Sequence, residues 1–97
     1  MNDLEFFMAV NMDEDFDFLP SSEVVKKIAK KLQKVRKSKF KTQQAFADHI
    51  GLSYAKVARF EKTGNISFVD FIAIVKGLNR VAELQQLFKE DAGIIQW

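Results

Sequence analysis

Between Val24 and Leu84 the apolar residues return every three or four positions and do not settle into alternation at period two, so this stretch reads as helices and not strands. Val24, Ile28, Leu32 and Val35 make one apolar stripe on a helix over residues 22 to 37. It is entered through Pro20-Ser21-Ser22-Glu23, where serine hydroxyls can accept from the unpaired amides of a first turn. Thr42 suits the N-cap of a second helix that runs to Ile50 and turns Phe46, Ala47 and Ile50 inward. Gly51-Leu52-Ser53 then forms a three-residue turn, because Gly51 can take a positive φ without steric penalty and Ser53 can cap the next helix. That third helix, over 54 to 62, has Val57 and Phe60 inward and leaves Tyr54, Ala55, Lys56, Arg59 and Lys62 outward or flanking. Thr63-Gly64-Asn65 is turn chemistry, and Ser67-Phe68-Val69-Asp70 resembles a capping box with Asp in place of Glu. Phe68, Phe71, Ile72 and Val75 give the fourth helix a core stripe that ends near Gly77 to Asn79. Val81, Leu84, Leu87 and Phe88 mark a fifth helix reaching Lys89. The fold class expected is an all-α bundle of five helices.

A chain of 97 residues is enough for one domain. Composition divides it into an acidic and aromatic segment at 1–20, a helical domain at 21–90 and a short apolar tail at 91–97. There is no cysteine, which excludes disulfides, thiolate metal sites and cysteine nucleophiles and points to the cytoplasm. The first residues carry acids where a secretory signal needs bases, and the apolar run Phe71 to Val75 falls far short of the ~18 residues of a membrane span. Neither export nor a membrane partner is expected.

The net charge of +2 conceals a division. Asp3, Glu5, Asp13, Glu14, Asp15 and Asp17 precede any base, while from Ser21 onward 15 bases face 7 acids, a net +8. Lys26, Lys27, Lys30, Lys31, Lys34, Arg36, Lys37, Lys39 and Lys41 run without an intervening acid. Such a run is either a solvated helix face or a field that draws in polyanions.

One constellation carries more than composition does. Gln43, Phe46, Ala47, Ile50, Gly51, Leu52, Val57 and Phe60 place a small residue where two helices cross, a glycine at the bend and bulky residues on the inner faces. In this spacing, from about Val24 to Leu84, the chain resembles the phage-repressor and Cro-like (XRE) helix-turn-helix family, whose fold is a five-helix lambda-repressor-like DNA-binding domain. It departs from the family pattern in Phe46, where leucine is more usual, and in Ala45, where an acid often completes a capping box.

The resemblance implies roles for particular residues. Arg36 and Glu61 stand where the family joins its first helix to its recognition helix by an ion pair, and a planar guanidinium suits bidentate contact with a carboxylate. Tyr54, Ala55 and Arg59 face base edges in the major groove, with Arg59 suited to guanine O6 and N7 and Ala55 to a thymine methyl. Gln43, Lys56, Lys62 and Asn65, with some of the first-helix bases, hold phosphates.

Other features invite chemistry and do not sustain it. His49 is the single histidine and suits an exposed or phosphate-facing position better than catalysis. Asp13-Glu14-Asp15-Phe16-Asp17 lacks the glycine that a calcium loop needs at its bend, so no metal and no cofactor are expected. The phenylalanines Phe40, Phe46, Phe60, Phe68, Phe71 and Phe88 fit core or near-core places. Phe6, Phe7, Met8, Phe16, Phe18 and Leu19 alternate with acids, as in a disordered acidic tail or in an arm that docks on a partner, a second copy or the chain's own basic face. Ile94-Ile95-Gln96-Trp97 covers its own core or enters a partner's pocket.

The function these readings imply is a cytoplasmic, homodimeric, sequence-specific binder of double-stranded DNA, a transcriptional repressor on a palindromic operator, with no enzymatic activity. Within it, Arg59 to Ser67 followed by Phe68 to Leu78 resembles HipB-like antitoxins, which implies a kinase-like toxin as partner. The alternative is a protein-interaction adaptor of the same fold whose contacts are its apolar terminal segments.

Overall fold

A computed structural model of the chain describes residues 16 to 89. A single 3-10 turn at Phe16–Phe18 leads to five helices: α1 (Ser21–Lys39), α2 (Gln43–Ile50), α3 (Tyr54–Thr63), α4 (Phe68–Gly77) and α5 (Val81–Leu87). No strand occurs among the described residues, so the all-helical class expected from periodicity is the class observed. The expectations for the acids and aromatics before Phe16 and for the tail at 91–97 lie outside the described residues.

Local chemistry explains where the helices start and stop. Thr42 Oγ1 accepts from the amide of Ala45 at 3.0 Å, and Ser53 and Ser67 accept from the amides of Lys56 and Asp70, each at 3.2 Å. These hydroxyls satisfy amides that the first turn of a helix leaves unpaired. The start of α1 differs from its expectation. Ser21 and Ser22 lie inside the first turn, so neither caps it, and the carbonyl of Pro20 receives the amides of Glu23 and Val24. The physical reason is that proline already has helix-compatible φ, here −59°, so the helix begins directly after it. At the other end of the domain, Asn79 closes α4 with φ 61°, a left-handed conformation that asparagine tolerates. Lys39 of α1 donates from Nζ to the carbonyl of Leu78 at 3.2 Å, placing a cation at the carbonyl end of α4.

The core gathers Ala29, Phe46, Ala47, Val57, Phe60, Ile74 and Leu78, with Leu32, Val35, Phe40, Ile50, Leu52, Ile66 and Phe71 packed around it. The principal packing is α1 against α3, with α2 against α3 and α4. Gly77 makes the last approach possible, since a side chain there would strike Ile50 and crowd the ring of Phe46. Ring contacts extend the core, with Phe40 and Phe46 centroids 5.2 Å apart and Phe60 and Phe71 6.0 Å apart.

Two expectations about the core are corrected. Phe68 is 71% exposed; of the rest of the expected stripe Val75 is buried and Phe71 and Ile72 are half-buried, while Ile74 and the following Leu78, which that stripe left out, are buried. Phe88, expected at a core or near-core place, is exposed just past α5, a helix in which no residue is buried. The cause in α4 is its composition. A stretch such as Phe68-Val69-Asp70-Phe71-Ile72-Ala73-Ile74-Val75 is apolar nearly all round, so periodicity alone gives no polar face against which to orient it. No helix among the described residues is long and apolar enough to cross a membrane.

Candidate nucleic-acid interface

The turn between α2 and α3 is built by backbone geometry that only a residue tolerant of positive φ adopts cheaply. Gly51 has φ 75°, and the carbonyl of Ala47 receives the amides of both Gly51 and Leu52, the latter at 3.0 Å. Ser53, extended at ψ 151°, caps α3 immediately, so three residues join the two helices. Leu52 is half-buried against the core and pins the turn from below.

Behind α3 lies a polar cluster that fixes its orientation. Arg36 Nε donates to Glu61 Oε2 at 2.9 Å and Nη2 to Oε1 at 2.8 Å, a bidentate fork between α1 and the last turn of α3. Both side chains are only 4% exposed. The third guanidinium nitrogen donates to the carbonyls of Phe40 and Lys41 at 3.2 and 3.4 Å, and Gln43 Nε2 donates to Glu61 Oε1 at 2.8 Å. Among the described residues no buried side-chain polar atom lacks a partner, which is the condition under which a buried pair is tolerated. Burial pushes the Glu61 carboxyl up, but the bonds from Arg36 and Gln43, the nearby positive charge and Gln33 outweigh it and hold it below its ordinary 4.5. The bond to Glu61 raises Arg36 further above its ordinary range, against the opposing effect of burial.

The outer side of α3 is the reverse in character. Tyr54, Ala55, Arg59 and Lys62 are exposed, Tyr54 by half. Among the described residues, the guanidinium of Arg59 and the ammonium of Lys62 enter no hydrogen bond or ion pair. Lys56 is also exposed, but its Nζ lies 3.0 Å from Asp70 Oδ2 in the first turn of α4. Asn65 is exposed beyond the end of α3, its amide donating to Thr63 Oγ1 at 3.0 Å. Lys56, Arg59, Asn65, Ile66, Ser67 and Asp70 line an open polar cleft of about 530 Å³ between α3 and the start of α4.

The residues singled out from sequence therefore divide. Arg36 and Glu61 meet; Tyr54, Ala55, Arg59 and Lys62 share the exposed side of α3; Lys56, Arg59 and Asn65 share the cleft. Gln43, expected to touch phosphate, is half-buried and its amide nitrogen faces Glu61. Asp70 stands out in the sequence only as a capping residue, yet its carboxylate points at Lys56. Gln33 carries no sequence signal of its own beyond its place one turn before Arg36 on α1, which puts it on the same side of the helix. His49 is exposed, its ring centroid 5.0 Å from that of Phe40. Of the nine consecutive bases, Arg36 is internal, Lys39 serves α4, and Lys26 pairs with Glu23 at 3.4 Å.

Comparison of the chain with protein-family models, with curated proteins and with solved structures finds no match.

Proposed function

We propose that this chain is a sequence-specific double-stranded DNA-binding regulator of transcription, a repressor, in which α2, the Gly51 turn and α3 act as a helix-turn-helix and α3 enters the major groove. The observation that carries the proposal is the contrast across α3. Its inner side is clamped by Arg36, Glu61 and Gln43, while Tyr54, Ala55, Arg59 and Lys62 are exposed and, of its three exposed cations, Arg59 and Lys62 have no partner among the described residues. A helix of about ten ångström diameter fits a major groove, and a free guanidinium is the group that forks onto guanine O6 and N7. The net +8 of the chain from Ser21 onward supports the same reading, because phosphate neutralisation is the main source of affinity for duplexes.

Operation as a homodimer belongs to the proposal. One short helix reads few base pairs, and two-fold copies about 34 to 36 Å apart read a palindrome. The exposed apolar residues Phe68, Val81 and Phe88, around a groove of about 420 Å³ lined also by Ile72 and Leu84, support self-association. A narrower proposal, an antitoxin that represses its own operon and binds a kinase-like toxin, rests on the resemblance of Arg59 to Leu78 alone. The same apolar face favours the second reading, an interaction adaptor that has the fold without DNA binding.

Selection of bound duplexes from a random pool, followed by titration across salt, separates the readings. The regulator selects a symmetric site and its affinity falls steeply with salt, whereas the adaptor selects none. In the regulator, Arg59→Ala abolishes the preference for the selected site over a scrambled duplex, and Lys62→Ala weakens both alike. An Arg59→Ala chain that retains its preference removes Arg59 from base reading.

A further inference from the structure

Asp70 is an odd residue to find in a cleft offered to phosphates. Its side chain is 18% exposed, against 57% for Lys56, so the carboxylate sits within the cleft and the ammonium at its mouth. The amide of Asp70 is held by Ser67 Oγ at 3.2 Å, which fixes the residue in the first turn of α4. Its carboxyl is held below the ordinary carboxylate range chiefly by the bond from Lys56. Arg59, lining the same cleft, is left without a partner among the described residues.

We propose that Asp70 is a positioning residue that keeps Lys56 in reserve: it occupies the ammonium in the free protein and yields it to a DNA phosphate only when the duplex is fully seated. This rests on the DNA-binding function proposed for α3 and deepens it. An ion pair open to water is weak, so exchange of a carboxylate for a phosphate on Lys56 is accessible without rearrangement of either helix. Until that exchange occurs the cleft carries two cations and one anion, which lowers its attraction for any passing polyanion. The device therefore suppresses loose binding to arbitrary duplex while sparing the contact of Arg59 with its bases. It also makes Lys56 a late contact, formed after α3 is in place.

The test is a double-mutant cycle with the full chain, read as affinity for the selected and the scrambled duplex across salt. Asp70→Asn frees Lys56 without removing the Ser67 cap. One more phosphate contact steepens the log–log salt slope by about 0.9, which is about eightfold in affinity at 0.1 M salt, and this gain is expected on the scrambled duplex; the selected duplex, whose seated complex already has the Lys56 contact, gains less and keeps its slope. In a Lys56→Met background the same Asp70→Asn change is expected to give little gain, and Asp70→Glu is expected to retain wild-type behaviour. A gain that persists undiminished in the Lys56→Met background overturns the proposal, because Asp70 then acts as a bare charge. Wild-type binding with no gain from Asp70→Asn overturns it as well. Failure of the wild type to bind any duplex at low salt removes the DNA-binding function itself, and this proposal falls with it. Unchanged helical circular dichroism and melting of each variant show that binding, not folding, has been altered.

Discussion

The pair α2–α3 and the pair α4–α5 are built from similar lengths of chain, yet one buries what its sequence offers and the other does not. In α2–α3 the large apolar residues Phe46, Val57 and Phe60 are interior and the polar residues stand outside or in one fully bonded cluster. In α4–α5 the inward side of α4 is interior, but Phe68, Val69, Val81, Leu87 and Phe88 face outward. The difference teaches that hydrophobicity alone does not say which side of a helix is inside. Contrast does, and α3, with Lys56, Arg59, Glu61 and Lys62 among its apolar residues, has the contrast that α4 lacks. An apolar face left open on a small domain is a surface awaiting company.

The sharpest way to break this comparison is to truncate one phenylalanine from each pair. Phe46→Ala, from a ring only 1% exposed, is expected to destabilise the chain by about 3–5 kcal/mol, whereas Phe68→Ala changes stability by less than about 0.5 kcal/mol at concentrations where the chain is monomeric. Urea denaturation of both variants measures the gap, and equal losses would mean that Phe68 is interior after all.

The second test addresses the clamp behind α3. Arg36→Ala leaves Glu61 buried and without its fork, with an expected loss of about 3–5 kcal/mol. The same cluster sets a pH dependence. Because the folded Glu61 carboxyl lies below its ordinary 4.5, its contribution is complete above about pH 4.5 and disappears as pH falls through the lower folded value. Thermal melts between pH 6 and pH 2 on the wild type and on Glu61→Gln measure this, and the variant is expected to show the shallower decline.

The smallest effect separates a serine that caps a helix from one that does not. Ser53→Ala removes the acceptor for the Lys56 amide and is expected to cost about 1 kcal/mol, while Ser21→Ala, within the first turn of α1, costs less than about 0.5 kcal/mol. Chemical melts of the two variants side by side decide it.

Much of the fold was legible because its signals were local. Thr42, Ser53 and Ser67 cap as their hydroxyls suggest, Gly51 bends where a positive φ is needed, and the five helices lie close to where periodicity puts them, α1 three residues longer and α5 ending at Leu87 instead of Lys89. The Arg36–Glu61 fork was legible only through family resemblance, since no local rule joins residues 25 apart in sequence. What escaped were choices made by tertiary packing. Gln43 turns to Glu61 and Asp70 to Lys56 because neighbouring helices bring those partners within reach, and the register of α4 is chosen by Gly77 meeting Ile50 and Phe46. Whether Tyr54, Ala55 and Arg59 read bases is a matter of chemistry with a second molecule.

The bidentate clamp has a consequence for how such a chain can change over generations. The polar clamp on α3 comes from α1 and α2, on the side away from solvent, and owes nothing to Tyr54, Ala55 or Arg59. Those three positions are thus at liberty to drift while the same scaffold is inherited intact.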